Sequence, residues 1–118
     1  MNENERVQPM RVTDNDTGDT YTLDFSRDSV RFAEDRRFDI SEVPTFPATK
    51  IPELWFYAFR MHHRKMDRYH TDALLEKIGG LTQSMIERLV LLYQQACVSN
   101  NIQDEEDLAK NARVTVEL

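Results

Sequence analysis

From Thr82 onward, apolar residues recur at helical spacing: Met85, Ile86, Leu89, Val90, Tyr93, Ala96 and Cys97 make the longest clean stripe in the chain. At 3.6 residues per turn, one side of a helix holds all of them. Thr82 is placed to cap that helix, and Leu81 to staple onto Ile86 inside it. Upstream, Leu74, Leu75 and Ile78 predict a shorter helix capped by Thr71. Gly79-Gly80 stops it, because glycine accepts the left-handed conformation in which helices end. Ser26 can cap a further helix from Arg27 to about Arg36, with Val30 and Ala33 on one face and Phe32 beside them. Only near the start does the period change to two. Val12 and then Tyr21, Leu23 and Phe25 flank Asp14-Asn15-Asp16-Thr17-Gly18-Asp19, a run suited to a turn, which predicts a β-hairpin. A lone hairpin is marginal in water, so this one must lie on helices or pair its edge with another strand.

The segment TKIPELWFYAFRMHHRK, Thr49 to Lys65, breaks the amphipathic pattern. Thr49 is the expected cap, Pro52 fits the first turn, and the helix is expected to reach about Arg68. Leu54, Trp55, Ala58, Met61 and His62 fall on one side, and Phe56, Tyr57 and Phe59 cover the remaining arc. A helix apolar nearly all round must be wrapped by its own neighbours, by a second copy or by a client protein. Phe38 to Val43 is ambiguous, and Pro44 and Pro47 keep the connector extended. Met1 to Gln8 reads as a frayed arm. After Ser99-Asn100-Asn101 comes Asp104-Glu105-Glu106-Asp107, read as the start of a mobile acidic tail over residues 99–118. The expected fold is therefore α+β: one domain over residues 1–98, with an N-terminal β-hairpin packed on a small bundle of about four helices and a flexible acidic C-terminal tail.

Charge and composition narrow the function. With 118 residues there is room for one small domain, and a formal net charge of -6 disfavours nucleic acid and acidic partners generally. The opening MNENERVQPM has no apolar signal region, and no window approaches the roughly 18 apolar residues of a span, so a soluble cytoplasmic protein is expected. The single Cys97 lies in the apolar stripe and reads as a small hydrophobe, compatible with a reducing compartment.

Candidate chemistry is sparse. His62 and His63 point about 100° apart on a helix and cannot share one ion, with Asp67 the nearest carboxylate to His63, so no metal site is expected. Arg60, Arg64, Lys65 and Arg68 lie within nine positions. Beside aromatics they could form a single-strand nucleic-acid platform, but these aromatics look like helix core. The cations suit a helix C-terminal end and could also meet the acidic tail of the same or a neighbouring subunit. No triad motif, phosphate-binding glycine loop or cysteine pair is present, so neither catalysis nor a cofactor is expected.

Taken together, YTLDFSRDSVRFAEDRRFDISEV, TKIPELWFYAFRMHHRK, LLEKIGGL and MIERLVLLYQQA resemble the tail assembly chaperones of long-tailed bacteriophages and prophages, over Tyr21 to about Ala96. The resemblance implies a non-virion protein of the host bacterial cytoplasm that binds the aggregation-prone tape-measure protein and delivers it for polymerisation of the tail tube around it. It also implies a homo-oligomer, contact with the tail tube protein, and in many such phages a longer frameshifted product. The expected protein-binding residues are Trp55, Phe56, Tyr57, Phe59, Arg60 and Arg64. Rival classes are a structural neck or tail-completion protein of the virion and a small regulatory nucleic-acid-binding protein. Presence in purified virions separates the first, and steeply salt-dependent binding to DNA or RNA the second.

Overall fold

The structure, a computed structural model, describes residues 6–101 and 117–118. An N-terminal two-stranded antiparallel hairpin, β1 (Met10–Thr13) and β2 (Thr20–Leu23), is followed by four helices packed together. These are α1 (Arg27–Asp35), α2 (Pro47–Phe59), α3 (Arg68–Ile78) and α4 (Gln83–Asn101), with a short 3₁₀ turn at Ile40–Glu42 inside the ambiguous connector. The α+β architecture expected from the sequence is the one observed.

The hairpin solves its marginal stability on the helices. Met10 faces Leu23 and Val12 faces Tyr21 in the register, so one face is apolar, with Leu23 fully buried beneath it. In the turn, the Asp14 N–H donates to the Asp19 carbonyl at 2.8 Å. Antiparallel pairing alternates, so the N–H groups of Thr22 and Asp24 must point away from β1. Both find partners at or just beyond the end of α2: Thr22 donates to His63 Nε2 at 2.9 Å and Asp24 to the Ala58 carbonyl at 3.1 Å. The outer edge of β2 is thereby closed, which removes it as a template for another strand. The turn is held as well, since Lys77 Nζ at the end of α3 lies 2.7 Å from Asp14 and 2.8 Å from Asp16.

Helix α2 is the hub. It packs against β2, α1, α3 and α4, so its aromatics are covered from several directions. Leu54, Trp55, Ala58 and Phe59 are fully buried and Tyr57 nearly so. Rings meet edge-on from Trp55 to Phe59 at 5.1 Å, from Phe59 to Tyr21 at 5.5 Å and from Phe25 to Tyr93 at 5.1 Å. Edge-to-face contacts place a positive ring edge on a negative ring face and add to the burial term. The Trp55 indole N–H donates to the Thr71 carbonyl at 2.8 Å, so the largest core side chain carries no orphan donor. From α4, Leu89, Leu92, Tyr93 and Ala96 complete the core.

Caps follow the sequence at three of the expected places. Ser26 caps α1, Gly79 ends α3 in the left-handed conformation, and Thr82 Oγ1 accepts from the Met85 N–H at 3.2 Å ahead of α4. Elsewhere the expectations need correction. Helix α2 starts at Pro47, two residues before Thr49, behind Phe46, which makes no side-chain cap bond. It stops at Phe59 rather than Arg68, where the Ala58 carbonyl accepts the Asp24 N–H from β2 in place of a fourth-next helical N–H. Asp67, not Thr71, caps α3 by accepting the His70 N–H at 2.9 Å, and Thr71 is buried inside the helix. Helix α4 continues through Asn101, three residues past the domain boundary expected at residue 98. The arm is docked at Val7, whose N–H donates to Gln95 Oε1 at 2.8 Å while Gln95 Nε2 donates to its carbonyl at 3.3 Å. The expectations for residues 1–5 and for the tail at 102–116 fall outside the described residues.

Helix α1 ends in a Schellman arrangement. The Phe38 N–H reaches the Ala33 carbonyl and the Arg37 N–H the Glu34 carbonyl, with Arg37 at φ 64°. A side chain with a Cβ in that region costs roughly 1–2 kcal/mol, and glycine does not bear this cost. Arg37→Gly is expected to raise stability by about 0.5–1 kcal/mol after the added freedom of the unfolded chain is subtracted. Chemical denaturation of the variant checks it, and an unchanged or lower midpoint counts against the strain assignment.

Candidate interaction surface

The six residues expected to bind protein do not lie together on the surface. Trp55, Tyr57 and Phe59 are core, the first and last held by the ring contacts above and Tyr57 by Phe38 at 5.2 Å and Phe32 at 5.9 Å between ring centres. Phe56 is half-buried, Arg60 half-buried and Arg64 exposed. Phe56 and Arg60 lie on the side of α2 that faces α1, where Phe32 is 6.4 Å from Phe56 between ring centres, and Arg64 follows in the α2–α3 connection.

Two side chains missed from the sequence complete this surface. Phe32 carries the Arg60 guanidinium 3.9 Å from its ring centre and that of Arg36 at 3.6 Å. Such cation–π contacts hold the planar guanidinium heads in place. Burial first, then the nearby Arg64 and Arg36, press the Arg60 pKa below its ordinary value. The available signal was the i,i+4 pair Phe32 and Arg36 on one face of α1. A depression of about 210 Å³ opens beside them, lined by Ser26, Asp28, Ser29, Arg60, Met61 and Arg64.

A wider depression of about 620 Å³ is bordered by Tyr21, His62, His63, Lys65, Met66 and His70, and also by Arg64, which thus lines both depressions. The histidines are not gathered for a metal. His63 accepts from Thr22, whereas His70 Nδ1 sits 2.6 Å from Asp67, and no group of three His, Cys, Asp or Glu is arranged to hold an ion among the described residues. Bonding to the His70 backbone N–H, then to its side chain, holds the Asp67 carboxyl below its ordinary value. Burial pushes the Cys97 thiol and the Tyr93 hydroxyl up, which keeps both protonated at neutral pH.

Burial, and secondarily His62, lowers the His63 pKa below its ordinary 6.5. The sign follows from linkage. The unfolded chain takes up the proton before the folded one, so stability is full above pH 6.5 and falls as pH drops through the folded value. Protonation at Nε2 would also set two donors, His63 and the Thr22 N–H, against each other. Thermal melts from pH 8 to pH 5 are expected to show this loss, and His63→Gln to flatten it. Equal slopes for the two proteins would remove His63 as the cause.

One comparison decides the family. The model described as Domain of unknown function (DUF5055) matches residues 1–118. The chain belongs to that family. No curated protein and no solved structure matches it. Family membership therefore spans the hairpin and all four helices while stating no activity, and inference about function rests on the surface and on the sequence resemblance. Among the described residues, no helix is long and apolar enough to cross a membrane.

Proposed function

We propose that this protein is a non-catalytic tail assembly chaperone of a long-tailed bacteriophage or prophage, which binds and solubilises the tape-measure protein in the host cytoplasm. The observation that carries the reading is the outer side of α4. Leu91 is 49% exposed and Val98 56% exposed, seven residues apart and so on one line about 10 Å long, turned away from Leu89, Leu92 and Tyr93. With half-buried Phe56, this gives the domain modest apolar contacts outside a core that is already complete. Weak contacts of that kind suit a chaperone that must release its client, and repetition along an extended client in a homo-oligomer supplies avidity. The sequence segments similar to tail assembly chaperones, within Tyr21 to about Ala96, fall on β2 and on all four helices but not on β1.

Co-expression with the long helical protein encoded just downstream tests this. The client is expected in the soluble fraction with the native chain and depleted from it with Leu91→Gln/Val98→Gln or with Phe56→Ala. Truncating a desolvated aromatic anchor costs roughly 2 kcal/mol or more, a tenfold or greater loss of affinity. Tyr57→Ala and Phe59→Ala are expected to unfold the domain instead of weakening binding selectively. If the client stays insoluble beside the native protein, or if the chain is found in purified virions, the chaperone reading is wrong.

A further inference from the structure

Among the described residues, several cations have carboxylates: Lys50 has Glu42 and Glu53, Arg68 has Asp72, and Lys77 has Asp14 and Asp16. No described carboxylate lies within ion-pair range of Arg36, Arg60 or Arg64. Other described arginines also lack an ion pair with a described carboxylate, but these three are close together. Two of them rest on one Phe32 ring at 3.6 Å and 3.9 Å, and the third borders the same depression as Arg60. Gathering like charges is unfavourable, and stacking that restrains the guanidinium heads fixes them where their donor forks stay open to a ligand. Apolar rims lie alongside, in half-buried Phe56 and exposed Met61.

We propose that Arg36, Arg60 and Arg64 on the Phe32 shelf form a docking site for an acidic segment of a partner protein, one that presents carboxylates beside apolar side chains. Arginine forks take carboxylates in a bidentate manner, and an amphipathic segment would cover Phe56 and Met61 at the same time. Nucleic acid fits less well. Asp28 shares the depression, and the chain carries a net charge of -6, both of which oppose a phosphate backbone more than a short run of carboxylates. The net charge disfavours acidic partners at large, yet local complementarity decides a contact within a Debye length of roughly 8–10 Å. The site names the client chemistry of the chaperone reading and rests on that reading only for who the client is.

The test uses the full chain and a fluorescent amphipathic peptide carrying four glutamates and two leucines, with a glutamine-for-glutamate peptide as control. The glutamate peptide is expected to bind in a salt-sensitive manner, and the glutamine peptide at least tenfold more weakly. Arg36→Gln/Arg60→Gln should lower affinity at least tenfold, and Phe32→Leu severalfold, with helical circular dichroism retained. Arg11→Gln, an exposed arginine on the hairpin, should change nothing. Equal loss with Arg11→Gln would reduce the effect to net charge and overturn the site, as would no binding by the native chain. Binding seen only after Asp104, Glu105, Glu106 and Asp107 are neutralised to their amides would assign the patch to the chain's own acidic run instead. Tighter, competing binding of single-stranded DNA would make it a nucleic-acid surface. Peptide binding can succeed while the solubilisation assay fails, so the two readings fall separately.

Discussion

Leu89→Asp is expected to abolish cooperative unfolding, leaving a chain without a thermal transition at any temperature. Leu89 is fully buried in α4, among the residues that face α1 and α2. The substitution removes a side chain worth roughly 1.5–3 kcal/mol of burial and places a carboxyl in its stead. Without a partner, that group costs several kcal/mol more, whether it stays charged or takes up a proton. Domains of this size hold a total of about 5–15 kcal/mol, so the two penalties together are of the same order as the whole. Differential scanning calorimetry decides the matter, and a cooperative melt within a few degrees of the native protein would falsify the placement of α4.

Trp55→Ala comes second, with an expected loss of about 3–5 kcal/mol. Three effects coincide there. The indole leaves a cavity at the meeting point of α2 and α3, the edge contact with Phe59 is lost, and the bond to the Thr71 carbonyl goes with it. Trp55→Phe separates these effects, since it keeps most of the volume but not the donor. It should cost clearly less than alanine. Urea titration of both variants measures the difference, and equal losses would mean that the hydrogen bond, not the packing, carries the energy.

Legibility in the sequence divides along local and non-local causes. Ser26, Gly79 and Thr82 act on backbone groups within four residues, and their roles were readable from residue type and spacing. The α4 stripe was readable because its partner face is continuous. The end of α2 was not. There the Asp24 N–H takes the Ala58 carbonyl from across the fold, and no periodicity encodes that bond or the one between Thr22 and His63. Thr71 was expected as the cap of α3, but the Asp67 carboxylate four residues earlier accepts the His70 N–H and leaves Thr71 buried inside the helix. The same holds for the surface. Trp55, Tyr57 and Phe59 looked available because the helix is apolar all round, but β2, α1, α3 and α4 together cover it. Phe32 and Arg36 escaped notice because a ring that supports two arginines is visible only once α1 and α2 are side by side.

The clasp between Val7 and Gln95 brings the stretch before β1 against the last described helix. From Gln95 to Asn101 the helix climbs about 9 Å, a gap that a few added residues can span back to the stretch before β1. The Gly79-Gly80 joint between α3 and α4, by contrast, is exposed, with open space where a side chain would stand. A circular permutant opened at that joint and sealed at the clasp should keep its core intact. It would begin with α4 and end with α3, moving the fusion point for a tag or tether to the side of the molecule where the Lys77 anchor holds the hairpin turn.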